Sequence, residues 1–302
     1  MMRADTRLDY HSRILRVLRH VHAHLDHALS LSDLARIAHF SPYHFHRVFQ
    51  GMVGESVTEL ARRLRLERAA HLLRSGDEPV TRIAFGAGYE AHESFTRAFR
   101  TLFGISPSAF RKVGGAVMFK RVPSNIHYQV GGCIEDFTPR TKGVTAMEVE
   151  IKRIAPFRVA YIRHTGPYEK CGPVWERLMA WAGPRNLCGP ATRCLGICYD
   201  DPACTPPEKI RYDACISIDS KVQPEGEVRV QEIPGGDYAV GLHCGSYDKL
   251  KITWKEMYGE WIPASGREPQ DTPTFEVYLN CPDDTPADDL RVEIWVPLAP
   301  VE

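Results

Sequence analysis

The chain is doubled twice, by two unrelated repeats, and this restricts its fold more than any single motif does. Residues 29–56 realign with residues 78–106 at an offset of 49 to 50, matching Ala35 to Ala84, Phe45 to Phe95, Arg47 to Arg97, Phe49 to Phe99, Gly54 to Gly104 and Ser56 to Ser106. Further on, Ile154, Ala160, His164, Gly166, Tyr168, Lys170 and Trp175 match Ile233, Ala239, His243, Gly245, Tyr247, Lys249 and Trp254 at an offset of 79. The offset then becomes 80, where residues 211–219 align with 291–299 and Asp213 falls on Glu293. Two unlike duplications in 302 residues predict two domains, 1–112 and 147–302. Residues 113–146, rich in glycine and proline without a sustained period, read as a linker holding at most one short strand.

Each front repeat reads as helix, turn, helix. In the first, Ser32 is placed to cap a helix that turns Leu34, Ile37 and Ala38 inward, and a break follows near His39 and Phe40. Ser41 then caps a second helix with Pro42 in its first turn and Phe45, Val48 and Phe49 as its apolar stripe. In the second copy Thr81 precedes Ile83, Ala84 and Phe85, Gly86 and Gly88 loosen the turn, and Phe95, Ala98 and Phe99 repeat the stripe. Residues 57–73 read as one amphipathic helix about 25 Å long, which could hold the two units against successive major grooves ~34 Å apart.

Charge is divided in the same way as the repeats. The formal net charge is zero, yet residues 1–112 carry 17 Lys and Arg against 11 Asp and Glu, while residues 145–302 carry 17 against 25. Nearly all cations of the front half are arginine, the side chain suited to forked contacts with phosphate and guanine. His20, His24 and His27 share a helix face with metal-ligand spacing, but without a second ligand group nearby the reading is a solvated face, and no metal or cofactor is expected.

The front half resembles the DNA-binding module of the AraC/XylS family. The resemblance rests on Leu31-x-x-Leu34-Ala35, on Ser41-Pro42-x-x-Phe45-x-Arg47-x-Phe49, and most of all on the run from Ile83-Ala84 through Gly88-Tyr89 and Phe95-x-Arg97-x-Phe99 to Gly104 and Pro107. It implies an all-α domain of two helix-turn-helix units that binds double-stranded promoter DNA, with RNA polymerase as a further partner. It places base contacts on Tyr43, His46 and Arg47 in one recognition helix, and on His92, Glu93, Ser94, Thr96 and Arg97 in the other.

Each back repeat reads as strand, helix, strand, strand. The strands are 157–164 and 237–244, the segments ending at Tyr199 and Tyr278, and 211–219 and 291–299; the helices lie near 170–182 and 248–261. Two such units about a pseudo-two-fold axis make an α+β domain with a crevice at their junction. This half resembles the GyrI-like effector-binding domain, on His164-Thr165-Gly166-Pro167-Tyr168, its echo His243-Cys244-Gly245-Ser246-Tyr247, and the closing Arg291-Val292-Glu293-Ile294-Trp295-Val296-Pro297. Alternation sets Glu293 and Trp295 on one face of the last strand. A carboxylate beside an indole suits an aromatic cation, and the resemblance points the same way. Tyr168, Tyr247, Trp175 and Trp254 are further candidate walls, with the tryptophans equally readable as core, and Asp213 as a surface charge or salt-bridge partner.

Nine cysteines, none in a C-x-x-C pair, read as free thiols, and the chain has no apolar run long enough for a membrane span or a signal peptide, so a cytoplasmic protein is expected. The combined expectation is a transcription regulator, monomeric or homodimeric and not an enzyme, whose DNA binding responds to a small effector. The rival readings are a hydrolase using Glu293 with Tyr168 or Tyr247, and a protein-sequestering module like the gyrase inhibitors.

Overall fold

The computed structural model describes residues 2–113, 122–140, 147–202, 205–219 and 221–300; the side chains of residues 2–8 and of Tyr43 lie outside that description. The described residues divide into two compact units, the first within Leu8–Thr141 and the second within Lys142–Glu302.

In the first unit the helices are α1 Met2–Ala23, α2 Leu31–Ala38, α3 Pro42–Val53, α4 Val57–Ser75, α5 Val80–Gly86, α6 His92–Phe103 and α7 Pro107–Val113. The duplication persists down to the turns. His39 and Gly88 both adopt left-handed backbone, at φ 54° and 81°, and the following N–H groups of Phe40 and Tyr89 return to the carbonyls of Ala35 and Ala84. Gly54 and Gly104, at φ 93° and 83°, end α3 and α6 in the same way. The cap of α2 is Ser30, whose side chain accepts from Asp33 N, and not Ser32, which lies in the first turn. Pro79 precedes α5, and Thr81 lies in its first turn ahead of Ile83, Ala84 and Phe85. Each expected stripe is buried: Phe45, Val48 and Phe49 in α3, and Phe95, Ala98 and Phe99 in α6, the latter among Leu66, Leu73, Ile83, Phe103 and Phe110. At about 1.5–3 kcal/mol per large apolar side chain, these stripes decide which face of each helix is left outward.

Residues 122–140, expected to be linker, are packed into this unit. Ile126, Ile134 and Phe137 are buried, Phe137 stacks on His11 at 4.5 Å, and Arg19 donates to the carbonyls of Ile134 and Glu135. Their main anchor is Arg63 of α4, 6% exposed, which bonds Glu55 at 2.6 and 3.1 Å, Glu67 at 2.6 Å, the Ser124 hydroxyl at 2.9 Å and the Ile126 carbonyl at 2.8 Å. Glu67 in turn accepts from the Tyr128 backbone N–H. Burial alone would pull the Arg63 guanidinium down; the hydrogen bonds and charge of Glu55 and Glu67 leave it raised.

The second unit is one eight-stranded antiparallel sheet: β1 Val149–Ile154, β2 Phe157–Thr165, β3 Cys194–Cys198, β4 Arg211–Ile218, β5 Arg229–Ile233, β6 Gly236–Cys244, β7 Thr274–Tyr278 and β8 Arg291–Leu298, in the order β1-β6-β8-β7-β3-β4-β2-β5. Helix α8 spans Gly172–Ala182 and helix α9 Leu250–Glu256. Each repeat thus opens with a strand that the expected strand-helix-strand-strand unit lacks, and the two opening strands are exchanged. β1 pairs with β6 of the second repeat, and β5 with β2 of the first. Both are sheet edges in which charged residues break the apolar alternation, as edge strands commonly do, so periodicity alone does not reveal them. At the sheet centre β3 pairs with β7, Gly196 opposite Glu276. These two residues are 80 apart, the repeat offset, so the pseudo-two-fold axis passes between them.

Candidate functional site

The two faces of the sheet separate residues that the sequence suggested would share one site. On the face away from the helices, Trp295 joins Phe275, Tyr238, Val159, Leu195, Cys215 and Val277 in a packed core. Glu293 lies on that side, with Lys152 Nζ at 2.9 Å and the Trp295 indole N–H at 3.0 Å. The hydrogen bond to Glu293 raises the Lys152 ammonium's pKa, and that ammonium also sits 5.6 Å over the Trp295 ring. Glu293 therefore has its cation within the fold, delivered by the exchanged strand β1. Its counterpart Asp213 is fully buried and takes a bidentate bond from Arg163 at 2.7 and 2.9 Å, with Tyr199 and Gln231 as further donors. Asp213 is a salt-bridge partner, and Gln231 is the repeat equivalent of Lys152.

The other four residues lie on the helix-covered face, over the axis. Trp175 of α8 donates from Nε1 to the Tyr212 hydroxyl at 3.1 Å, Tyr212 and Tyr278 hydroxyls meet at 2.9 Å, and Tyr278 donates to Glu276 Oε2 at 2.9 Å. Trp254 of α9 donates from Nε1 to Glu276 Oε1 at 2.9 Å. Because Tyr278 donates its proton to the carboxylate, the Tyr212 hydroxyl is the donor to Tyr278, and one directed chain runs from α8 across the axis to Glu276. Burial pushes the phenols of Tyr212 and Tyr278 well above their usual range and that of Tyr247 to about 12, so all three stay protonated. Tyr168 and Tyr247 complete the aromatic wall: Tyr168 is edge-on to Tyr212 at 5.8 Å, and Tyr247 lies 5.7 Å from Tyr278. Tyr168, Tyr247, Trp175 and Trp254 are each half-buried, whereas Glu276 is 8% exposed.

Glu276 is the residue that sequence reasoning missed. Its signal was the alternation of Thr274, Glu276 and Tyr278 against Phe275 and Val277, which sets a carboxylate among residues facing the helices. The sheet also separates Glu293 from Tyr168 and Tyr247, so that proposed acid/base set does not assemble. Gly196, across the axis from Glu276, is what makes room for the chain of hydroxyls, since a Cβ there would collide with the Tyr212 ring and hydroxyl. Gly196→Ala is expected to destabilise this unit by about 1–3 kcal/mol, readable by urea denaturation, because β3 and Tyr212 cannot both keep their places.

In the first unit α6 presents His92, Glu93 and Arg97 as exposed side chains, with Ser94 and Thr96 half-buried beside them. α3 presents Arg47 half-buried, but His46 is 2% exposed and lies within packed protein, so it does not reach the surface as a base contact requires. Tyr43 falls outside the described side chains. Neither α3 nor α6 has a side-chain cap, in contrast to α2, capped by Ser30, and α4, whose Ser56 and Glu59 form a reciprocal capping box. Open N–H groups at a helix start favour a phosphate. The arginines of α4 are largely committed to the fold: Arg62 bonds the Tyr89 hydroxyl, Arg65 the carbonyls of Leu25 and His27, and Arg68 both Asp26 oxygens and the Gly86 carbonyl. His20 and His24 stack at 4.0 Å, and desolvation followed by the His24 charge lowers the His20 pKa.

A paired helix-turn-helix region followed by a two-fold sheet domain with an axial carboxylate defines a class: a DNA-binding region joined to a small-molecule-binding domain. The chain belongs to the GyrI-like small molecule binding domain family, whose model matches residues 147–299, and a helix-turn-helix domain of AraC type matches residues 34–113. It is 30% identical over 161 residues to a DNA gyrase inhibitor of Erwinia billingiae (strain Eb661), covering 52% of this chain and all of that protein. It is 34% identical over 110 residues to the probable transcriptional regulator YgiV of Escherichia coli (strain K12), covering 36% of this chain and 68% of that one. Among solved structures it is similar to EcmrR in its complex with DNA, with 17% identity, a TM-score of 0.43, and coverage of 52% of this chain and 59% of that chain. Among the described residues no helix is long and apolar enough to cross a membrane.

Proposed function

We propose that the chain is a one-component regulator in which an aromatic cation bound at Glu276 changes how the two helix-turn-helix units engage promoter DNA. The observation that carries this reading is the buried Glu276 carboxylate, set among Trp175, Trp254, Tyr168, Tyr247, Tyr212 and Tyr278. An aromatic cation offers charge to the carboxylate and a ring to the walls, a pairing that stabilises both in a dry site. The ligand acts on DNA binding only through unequal affinity for two states of the protein. Promoter DNA meets α6 through His92, Glu93 and Arg97, with Ser94 and Thr96 at their flank, and meets α3 through Arg47. RNA polymerase is the further partner of a regulator at a promoter, and the protein works without catalysis.

Arg97→Ala tests the DNA half. It is expected to lower affinity for a promoter fragment by about 1–3 kcal/mol, roughly 5- to 150-fold, while cation affinity is unchanged. Affinity is also expected to fall steeply between 50 and 200 mM salt through counterion release. An unaltered gel-shift affinity for Arg97→Ala, or a flat salt response, would contradict these contacts.

A further inference from the structure

Helix α9 and its extension carry one residue more than α8, and that residue lies within the helix. The short turns before the two helices, Tyr168–Lys170 and Tyr247–Lys249, correspond at an offset of 79. The left-handed residues that terminate them, Asn186 and Gly266, correspond at 80, as do all the strands that follow. Between these points Met257–Trp261 winds as a π turn, with the Ile262 N–H bonded to the Met257 carbonyl five residues back. Such a turn is how a helix absorbs one inserted residue, and it recurs at functional sites.

The insertion changes what the helix buries. α8 turns Val174, Leu178 and Ala182 inward at steps of four. The second helix turns Thr253, Met257 and Ile262 inward, a step of four and then of five. The extra turn also carries Tyr258 to 0% exposure, where its ring stacks on Trp254 with centroids 6.0 Å apart and planes 24° apart. Its counterpart in α8 is Met179, half-buried. The two tryptophans, equivalent by repeat, end differently: Trp254 donates to the carboxylate of Glu276, while Trp175 donates to the Tyr212 hydroxyl and lies edge-on to Tyr278 at 5.6 Å.

We propose that this insertion makes the site one-sided, with Tyr258 as the positioning residue that fixes the Trp254 indole at Glu276, so that the cationic end of a ligand is held in the α9 half. The inference rests on the reading that Glu276 receives an organic cation, and one experiment distinguishes the two. Binding of benzyltrimethylammonium to the full chain is measured by calorimetry for wild type, Glu276→Gln, Tyr258→Leu, Tyr258→Phe and a deletion of Gly259, which rewinds the helix. Tyr258→Leu and the deletion are expected to weaken binding roughly three- to tenfold, the range of one aromatic stacking contact, whereas Tyr258→Phe, which keeps the ring, stays within about twofold of wild type. The emission difference between each protein and its Trp254→Phe version isolates Trp254, and is expected to shift to the red in Tyr258→Leu as the indole gains water. Wild-type binding that is lost in Glu276→Gln yet unchanged in Tyr258→Leu, with no emission shift, overturns the one-sided site alone. A wild type that does not bind the probe overturns the Glu276 reading and this inference with it. If the deletion fails to fold, the comparison of Tyr258→Leu with Tyr258→Phe decides.

Discussion

Arg63→Ala is expected to cost the helical unit about 3–5 kcal/mol, the penalty for removing one partner of a buried ion pair. Glu55 and Glu67, 3% and 1% exposed, would be left as carboxylates facing each other across an emptied site. Against total stabilities of about 5–15 kcal/mol this is a large fraction, and the melting temperature of the unit should fall by roughly 10–20 °C. The same change detaches Ser124 and Ile126, so limited proteolysis should cleave within residues 122–140 in the variant and not in the wild type. Arg62→Ala, which loses an exposed bond to Tyr89, serves as the comparison and should cost under about 1 kcal/mol. Equal melting temperatures for Arg63→Ala and wild type would refute the anchoring role.

The second large effect is on the ligand. Glu276→Gln keeps the shape and an acceptor for Trp254 or Tyr278 but removes the charge. Truncating one member of a buried charge pair costs about 2–5 kcal/mol, so affinity for an aromatic cation should drop by about a hundredfold, while a neutral aromatic of the same size should bind the two proteins alike. Glu293→Gln should leave both affinities unchanged, because Lys152 already holds that carboxylate on the other face of the sheet. Calorimetric titration of the three proteins checks this, and a loss confined to Glu293→Gln would reverse the placement of the site.

The sequence disclosed whatever depended on period and repetition. Phe45, Val48, Phe49 and Phe95, Ala98, Phe99 are buried where the i, i+3, i+4 pattern puts them, and the matched turns at His39 and Gly88 follow from the duplication. What it hid depended on partners far along the chain. An arginine count does not say whether a guanidinium meets phosphate or carboxylate, and Arg63 finds Glu55 and Glu67. Residues 122–140 have no period because Ile126, Ile134 and Phe137 are single anchors of irregular backbone. Alternation set Glu293 beside Trp295 correctly, yet gave no sign of which face the helices cover, nor that the exchanged strand β1 would bring Lys152 to it from 141 residues away. The step in offset from 79 to 80 was visible in the sequence, but only the helix geometry shows it to be a π turn.

Occupancy of the Glu276 site is expected to be felt at the helices that meet DNA. The most direct measurement is fluorescence anisotropy of a labelled promoter fragment, selected by the protein from genomic DNA, titrated with full-length wild type and Glu276→Gln at fixed salt, with and without saturating benzyltrimethylammonium. A DNA affinity that shifts with the cation in wild type and stays put in Glu276→Gln is the predicted result. Cation binding to wild type confirmed by calorimetry, with DNA affinity identical in its presence and absence, would contradict the account.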